Sequence, residues 1–159
     1  MKRIIALMVV LGMGSLFLTA CGEPTDREQI LDAIKVLARL AEERDIDRIL
    51  DRLDERYGDF KGRSKAETKA MLGEYLTRYH GIVVNILKSE VEELSAGDAV
   101  VRADLAFSSG AIKAIRKFAK ISLDNYGFKI KLRKTGMGWL VTYAEWRPFG
   151  VNEIVTGPE

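Results

Sequence analysis

The spacing of hydrophobic residues takes three forms along this chain. Residues 4–18 form an almost unbroken apolar run behind Lys2 and Arg3. From Thr25 the spacing becomes helical. Ile30, Leu31, Ile34, Leu37, Ala38 and Ala41 recur at steps of three and four, with Asp32, Lys35, Arg39, Glu42 and Glu43 on the opposite side. Thr25-Asp26-Arg27-Glu28 opens this segment with capping-box spacing, in which the threonine oxygen and the glutamate carboxylate each accept a backbone N–H at the helix start. A second stripe follows Asp45 through Ile46, Ile49, Leu50, Leu53 and Tyr57, with Gly58 as its stop, so the pattern predicts a helical hairpin. Ser64-Lys65-Ala66-Glu67 is a second capping box. It predicts a third helix that turns Ala70, Met71, Tyr75, Leu76 and Tyr79 inward and ends at Gly81.

Beyond Gly81 the period falls to two. Ala99, Val101, Ala103, Leu105 and Phe107 alternate with Val100, Arg102, Asp104, Ala106 and Ser108, the mark of a half-buried strand. Residues 82–94 are rich in Val and Ile and join that strand across Ser95-Ala96-Gly97-Asp98, a hairpin turn composition. Tyr126, Phe128, Ile130 and Leu132 alternate with Gly127, Lys129, Lys131 and Arg133, and Thr135-Gly136-Met137-Gly138 turns the chain into a last strand over residues 139–147. The expectation is an α+β domain, with N-terminal helices packed on an antiparallel sheet of about four or more strands.

As a helix, residues 4–18 would rise only about 22 Å, short of the roughly 30 Å hydrocarbon core, and Gly12, Gly14 and Ser15 weaken it further. Cations, an apolar stretch and small residues in this order read as a cleaved export signal. Leu18-Thr19-Ala20-Cys21 resembles the lipobox of bacterial lipoprotein signal peptides. That resemblance implies cleavage after Ala20, a diacylglycerol on the Cys21 sulfur and an N-acyl chain on its freed amine; an ordinary signal cut nearby would leave Cys21 a free thiol. Two or more acyl chains, at about 0.8 kcal/mol per buried methylene, hold a protein stably on a bilayer. Gly22 stands where the family uses Asp for inner-membrane retention, which favours the periplasmic face of the outer membrane if the host is Gram-negative. Gly22, Glu23 and Pro24 give a tether of roughly 12–15 Å. The organisation read from the sequence is a signal peptide at 1–20, the lipidated cysteine and tether at 21–24, one domain at 25–148 and a flexible tail at 149–159.

Composition narrows the function classes. Without Lys2 and Arg3, 23 Lys plus Arg face 23 Asp plus Glu, so no general nucleic-acid footprint is expected. The single Cys permits no intrachain disulfide. No Gly-rich phosphate loop, clustered His/Cys set or Ser/His/Asp arrangement stands out, so no cofactor is expected beyond the lipid on Cys21. Asp45, Asp47, Asp51, Asp54 and Glu55 interleave with Arg44, Arg48, Arg52 and Arg56, which reads as a solvated helix face laced by i,i+4 pairs rather than a metal site.

Three helices followed by a meander that ends in Trp139-Leu140-Val141-Thr142-Tyr143-Ala144-Glu145-Trp146 after a Gly-rich turn resemble the nuclear-transport-factor-2-like superfamily over about residues 25–148. The resemblance implies a cone of helices and curved sheet around a pocket, used in some members for isomerase, dehydratase or cyclase chemistry and in others for binding. The candidate pocket residues are His80, Tyr126, Phe128, Trp139 and Tyr143, with Trp139 and Tyr143 on one face of the last strand and Trp146 on the other. Plain core packing is the competing reading of these rings, and unfilled volume separates the two. His80, beside the stop glycine, also suits a helix C-terminus, which favours cations; as a catalytic base it would need a partner such as Asp104.

Lys113, Arg116, Lys117 and Lys120 fall at i, i+3, i+4 and i+7 beside an apolar stripe, a candidate contact with anionic headgroups. A solvated crossover between strands is the plainer alternative. The reading is an anchored, non-catalytic ligand-binding or protein-interaction domain of the cell envelope, its partners the bilayer and either a small apolar ligand or an envelope protein. A small pocket enzyme of the isomerase or dehydratase type is the alternative. Homodimerisation through the open sheet face is compatible with both, although Lys129, Lys131 and Arg133 make that face polar.

Overall fold

The computed structural model describes residues 23–78, 81–108 and 124–149. Residues 1–22, Cys21 among them, Tyr79, His80, the basic segment at 113–120 and residues 150–159 lie outside the described residues, so the expected export signal, tether start and tail are not described. The element order is α1 (Asp26–Glu43), α2 (Ile46–Leu50), β1 (Leu53–Asp59), α3 (Lys65–Arg78), β2 (Val83–Leu94), β3 (Asp98–Ser108), β4 (Asp124–Thr135) and β5 (Gly138–Pro148). No described helix is long and apolar enough to cross a membrane.

Both capping boxes form. Thr25 Oγ1 accepts from the Glu28 N–H and the Glu28 carboxylate accepts from the Thr25 N–H at 2.7 Å. Ser64 and Glu67 repeat the exchange at the start of α3. Arg44, left-handed at φ 61°, ends α1 with its N–H on the Ala41 carbonyl, and Asp45 at once caps α2 by accepting from the Arg48 N–H. Two side-chain bonds then fasten α1 along β2: Arg27 Nη1 donates to the Val91 carbonyl and the Val84 N–H donates to Glu42.

The helical hairpin is not what forms. The second helix stops at Leu50 after five residues, and residues 53–59 become a strand that pairs in parallel with β5. Leu53 and Tyr57, four apart, satisfy a helical stripe and a strand alternation equally, so period alone does not decide between them. The pairing decides: the Val141 N–H donates to the Arg52 carbonyl and the Phe60 N–H to the Ala144 carbonyl, giving this segment backbone partners. Gly58, expected as a stop, lies inside β1 opposite Tyr143. The charged cluster sits on solvent-facing positions of α2 and β1, but its pairs are Arg48–Asp45, Arg56–Asp54, Lys65–Glu55 and Lys69–Asp47 rather than i,i+4 rungs. Among the described residues no acidic, His or Cys group is arranged to hold a metal.

The sheet order is β1-β5-β4-β3-β2, antiparallel throughout except for β1. The expected α+β arrangement thus holds, with a fifth strand that makes the sheet mixed. One sheet face packs against α1, and Ile30, Ile34, Val91, Val101, Leu132 and Trp139 form the dense part of the core. Each such side chain contributes about 1.5–3 kcal/mol by leaving water. Exposed ion pairs such as Arg39–Glu43 and Arg78–Glu74 contribute about 0–1 kcal/mol, so apolar burial carries the fold. On α3 Thr68 and Leu76 are buried, and Met71 and Tyr75 lie on the same inner side, Tyr75 at its rim; of the described residues in the predicted stripe only Ala70 is turned out to solvent.

Candidate functional site: an apolar cavity with a polar corner

Under α1 and α3 the core is unfilled, leaving a cavity of about 410 Å³. Ligand sites commonly span about 300–1,000 Å³. Its helical wall carries Leu37, Ala38 and Ala41 from α1 and Met71 and Leu72 from α3. Its floor is an aromatic shelf on three neighbouring strands. Phe107 meets Tyr126 edge-on with centroids 5.8 Å apart, and Phe128, paired in register with Trp146, stacks on it at 5.9 Å with planes inclined by 29°. Where Ala38 and Ala41 face the sheet their methyls leave space above the aromatic shelf that larger side chains would fill.

One corner is polar. β1 ends at Asp59, where the chain turns through Gly62 at φ 77° and returns to Arg63. The Asp59 side chain is fully buried; Oδ1 accepts from the backbone N–H groups of Lys61 (2.9 Å) and Arg63 (3.0 Å), and Oδ2 accepts from Arg63 Nε at 2.6 Å. Burial alone would raise the Asp59 pKa, but donation from Arg63 and Lys61 outweighs it and holds the carboxyl below its ordinary value. The ion pair fixes the Arg63 guanidinium over the Trp146 ring, 5.3 Å from its centroid. Beside it stand Tyr57 from β1 and Thr68 from the first turn of α3, both lining the cavity.

Burial pushes the Tyr57 phenol up to about 12; the Asp59 carboxylate adds to the rise, and Thr68 and Arg63 pull against it. Tyr57 therefore stays neutral while tyrosines of the unfolded chain ionise near the ordinary value of 10. The folded state then holds a proton that the unfolded state has released, so stability is expected to fall as pH rises from about 10 to 12. Ultraviolet titration of the phenolate should show one tyrosine ionising last, and Tyr57→Phe should remove that step. An unchanged titration in the variant would contradict this placement.

Of the sequence-predicted pocket residues, the structure brings Tyr126 and Phe128 together in the cavity. Trp139 is 4% exposed and belongs to the filled core beside Ile30 and Leu132, none of which lines the cavity. Tyr143 points to the other face of the sheet, where its hydroxyl donates to Glu145 and its ring lies under Lys131. The reason is a bulge. Leu132 pairs with Val141 but Lys131 pairs with Tyr143, so β5 carries one extra residue, and the alternation inverts between Val141 and Ala144. That inversion turns Trp146, rather than Tyr143, onto the shelf. His80 lies outside the described residues, as do Lys113, Arg116, Lys117 and Lys120. Asp104 sits with Arg102 on the sheet face away from the cavity. The sequence pattern placed Tyr57 only on an apolar stripe and gave no role to Asp59, Arg63 or Thr68; the available signal was Asp59-Phe60-Lys61-Gly62, a turn composition in which an Asx side chain binds the backbone two residues on.

With this geometry in view, comparison with solved structures is decisive for the fold. The chain superimposes on a nuclear-transport-factor-2-like protein with a cystatin-like fold from Novosphingobium aromaticivorans, with a TM-score of 0.63 at 16% identity over 95% of this chain and 91% of that one. The fold is nuclear-transport-factor-2-like. A Streptomyces avermitilis protein of that family, proposed to be a dehydratase, gives a TM-score of 0.66 at 13% identity, covering 79% of this chain and 97% of its own. Bd1075 of Bdellovibrio bacteriovorus gives 0.62 at 16% identity over 77% of this chain, which spans only 40% of that longer protein. No family model matches the chain, and no curated protein matches it in sequence. In this nuclear-transport-factor-2-like fold the cavity lies between α1, α3 and the sheet.

Proposed function

We propose that this chain is a lipid-anchored, non-catalytic binding protein of the cell envelope whose nuclear-transport-factor-2-like domain takes a small apolar ligand. The observation that carries the reading is the cavity of about 410 Å³, walled by aliphatic side chains and floored by Phe107, Tyr126, Phe128 and Trp146. Acid–base chemistry near neutral pH calls for a group whose pKa is matched to it. Among the described lining residues Tyr57 is displaced to about 12, and the neighbouring Asp59 is committed to Arg63. That arrangement favours binding over the isomerase or dehydratase alternative.

The anchor rests on Leu18-Thr19-Ala20-Cys21 and on the chain's early entry into structure. With Thr25 already capping α1, only Gly22, Glu23 and Pro24 separate the domain from Cys21, so it would ride close to the bilayer. Contact of Lys113, Arg116, Lys117 and Lys120 with anionic headgroups is part of the same proposal. Native mass spectrometry of the full chain ejected from nanodiscs tests the pocket. A co-purified small molecule, or uptake of an added apolar compound, is the expected result. A chain that carries nothing and takes up nothing would overturn ligand binding and move the function to recognition of envelope proteins, to be sought by crosslinking in cells.

A further inference from the structure

The polar corner of the cavity is complete in itself. Asp59 answers the Arg63 charge, Arg63 Nη2 and Thr68 Oγ1 are closed to solvent, and the Thr68 hydroxyl is engaged with the Tyr57 phenol. The corner therefore offers an occupant no charge. A charged group carried into the apolar interior would lose its hydration without gaining a partner, so whatever charge a ligand bears has to stay at the opening. The opening has a charge of its own. Lys61 and Tyr75 line the cavity and are exposed, which places them at its rim. Lys61 Nζ lies 5.6 Å from the centroid of the Phe60 ring, which is 43% exposed and meets Trp146 edge-on at 4.8 Å, so the cation stands at the outer end of the aromatic shelf. The Lys61 N–H donates to Asp59 Oδ1 at 2.9 Å, and this fixes where the side chain leaves the turn. Lys61 makes no ion pair among the described residues, and among them no carboxylate lines the cavity.

Resting on the binding reading above, we infer that the cavity's ligand is a single-chain amphiphile bound tail-in, with an anionic head left in water at the mouth beside Lys61. The tail lies between Ala38 and the shelf of Phe128 and Trp146, where it gives up apolar surface, and the head keeps its hydration. A volume of about 410 Å³ belongs to the lower half of the usual range for ligand sites, which suits one chain rather than a two-chain lipid. A cationic head meets Lys61 as a like charge, and a neutral head gains from the tail alone. Because Lys61 is exposed, its effect is that of a surface charge, about two- to fivefold in affinity at low salt and screened as the Debye length shrinks to about 3 Å at 1 M. The tail supplies the affinity, and the lysine selects the sign of the head.

The test uses octyl sulfate, 1-octanol and octylammonium, which share one chain and differ in the charge of the head. Each is titrated calorimetrically, below its micelle-forming concentration, into the full chain in phosphatidylcholine nanodiscs, with empty nanodiscs subtracted. Octyl sulfate is expected to bind tightest and octylammonium weakest, in steps of about two- to fivefold that close at high salt. Lys61→Glu should invert the order and Lys61→Gln should level it, with thermal melting as the check on folding, because both substitutions spare the backbone N–H that Asp59 holds. Ala38→Phe should weaken all three together, since the tail occupies that space. Equal affinities at low salt, or a preference that Lys61→Glu leaves in place, would overturn the inference and leave the apolar cavity standing. Octyl sulfate that binds Ala38→Phe as well as the parent would overturn it too, by placing the amphiphile on the surface. Binding of none of the three would instead bring down the pocket reading itself.

Discussion

Asp59→Ala should lower the unfolding free energy by about 3 kcal/mol, measured by urea denaturation at pH 7. The carboxylate is buried and accepts three hydrogen bonds, two of which shape the turn that carries Arg63. Its removal strands a guanidinium that is three-quarters buried and releases the turn that positions it over Trp146. Because the Asp59 carboxyl is held below its ordinary value in the folded state, this contribution is complete above the unfolded value near 4 and is lost as pH falls through the lower, folded value. The parent should therefore lose stability in acid more steeply than the variant. Asp59→Asn, which keeps an acceptor for the backbone amides, should recover part of the loss. A change under 1 kcal/mol in Asp59→Ala would mean that Arg63 swings freely into solvent and that the corner is not preorganised.

Ala38→Phe should abolish ligand uptake while leaving the fold intact. Ala38 lies on the cavity side of α1, and a phenyl group there would project into space that the native alanine leaves open. Apparent affinity for any occupant is expected to fall on the order of a hundredfold, because the ligand must then displace a packed ring. Stability should be unchanged or higher by up to about 1 kcal/mol, as for other cavity-filling substitutions. Calorimetry and thermal melting on the same sample give both numbers. Retained affinity with a raised melting temperature would place the ligand outside this cavity. A lowered melting temperature would mean that the wall cannot accept the ring, and Ala41→Phe, one helical turn along on the same wall, would then be the informative variant.

The parts of this architecture that were legible in the sequence are those fixed by local chemistry. Thr25 and Glu28 specify where α1 begins whatever surrounds it, and the alternation from Ala99 to Leu105 puts one face of β3 in the core, although Ala106 and Ser108 are buried on the other. The parts that were not legible depend on partners distant in the chain. Leu53 and Tyr57 fit either periodicity until β5 offers them an edge, and the extra residue between Val141 and Ala144 becomes visible only against the register of β4. One such residue exchanges the faces of Tyr143 and Trp146, and so removes Tyr143 from the predicted pocket and puts Trp146 there instead. The cavity was illegible for a further reason: Leu37, Ala38 and Ala41 read as ordinary core positions, and only the separation between helix and sheet reveals that they leave space unfilled.

The position of β5 has a kinetic consequence. β5, the last in sequence of the described strands, is not added at an edge but enters between β1 and β4. Before it arrives, β1 has no backbone partner in the sheet, and β4 is bonded on one side only. Leu53 must wait for Val141, and a contact so far apart in sequence raises the entropic barrier to folding. The hairpin of β2 and β3 and its extension to β4 can form early, since each joins neighbours in the chain. The corner at Asp59 and Arg63 closes last, because Trp146 completes it. Ribosomes or translocation machinery holding this chain short of residue 138 would therefore hold an open sheet with no binding site, and competence to bind would appear in one step on release of the final strand.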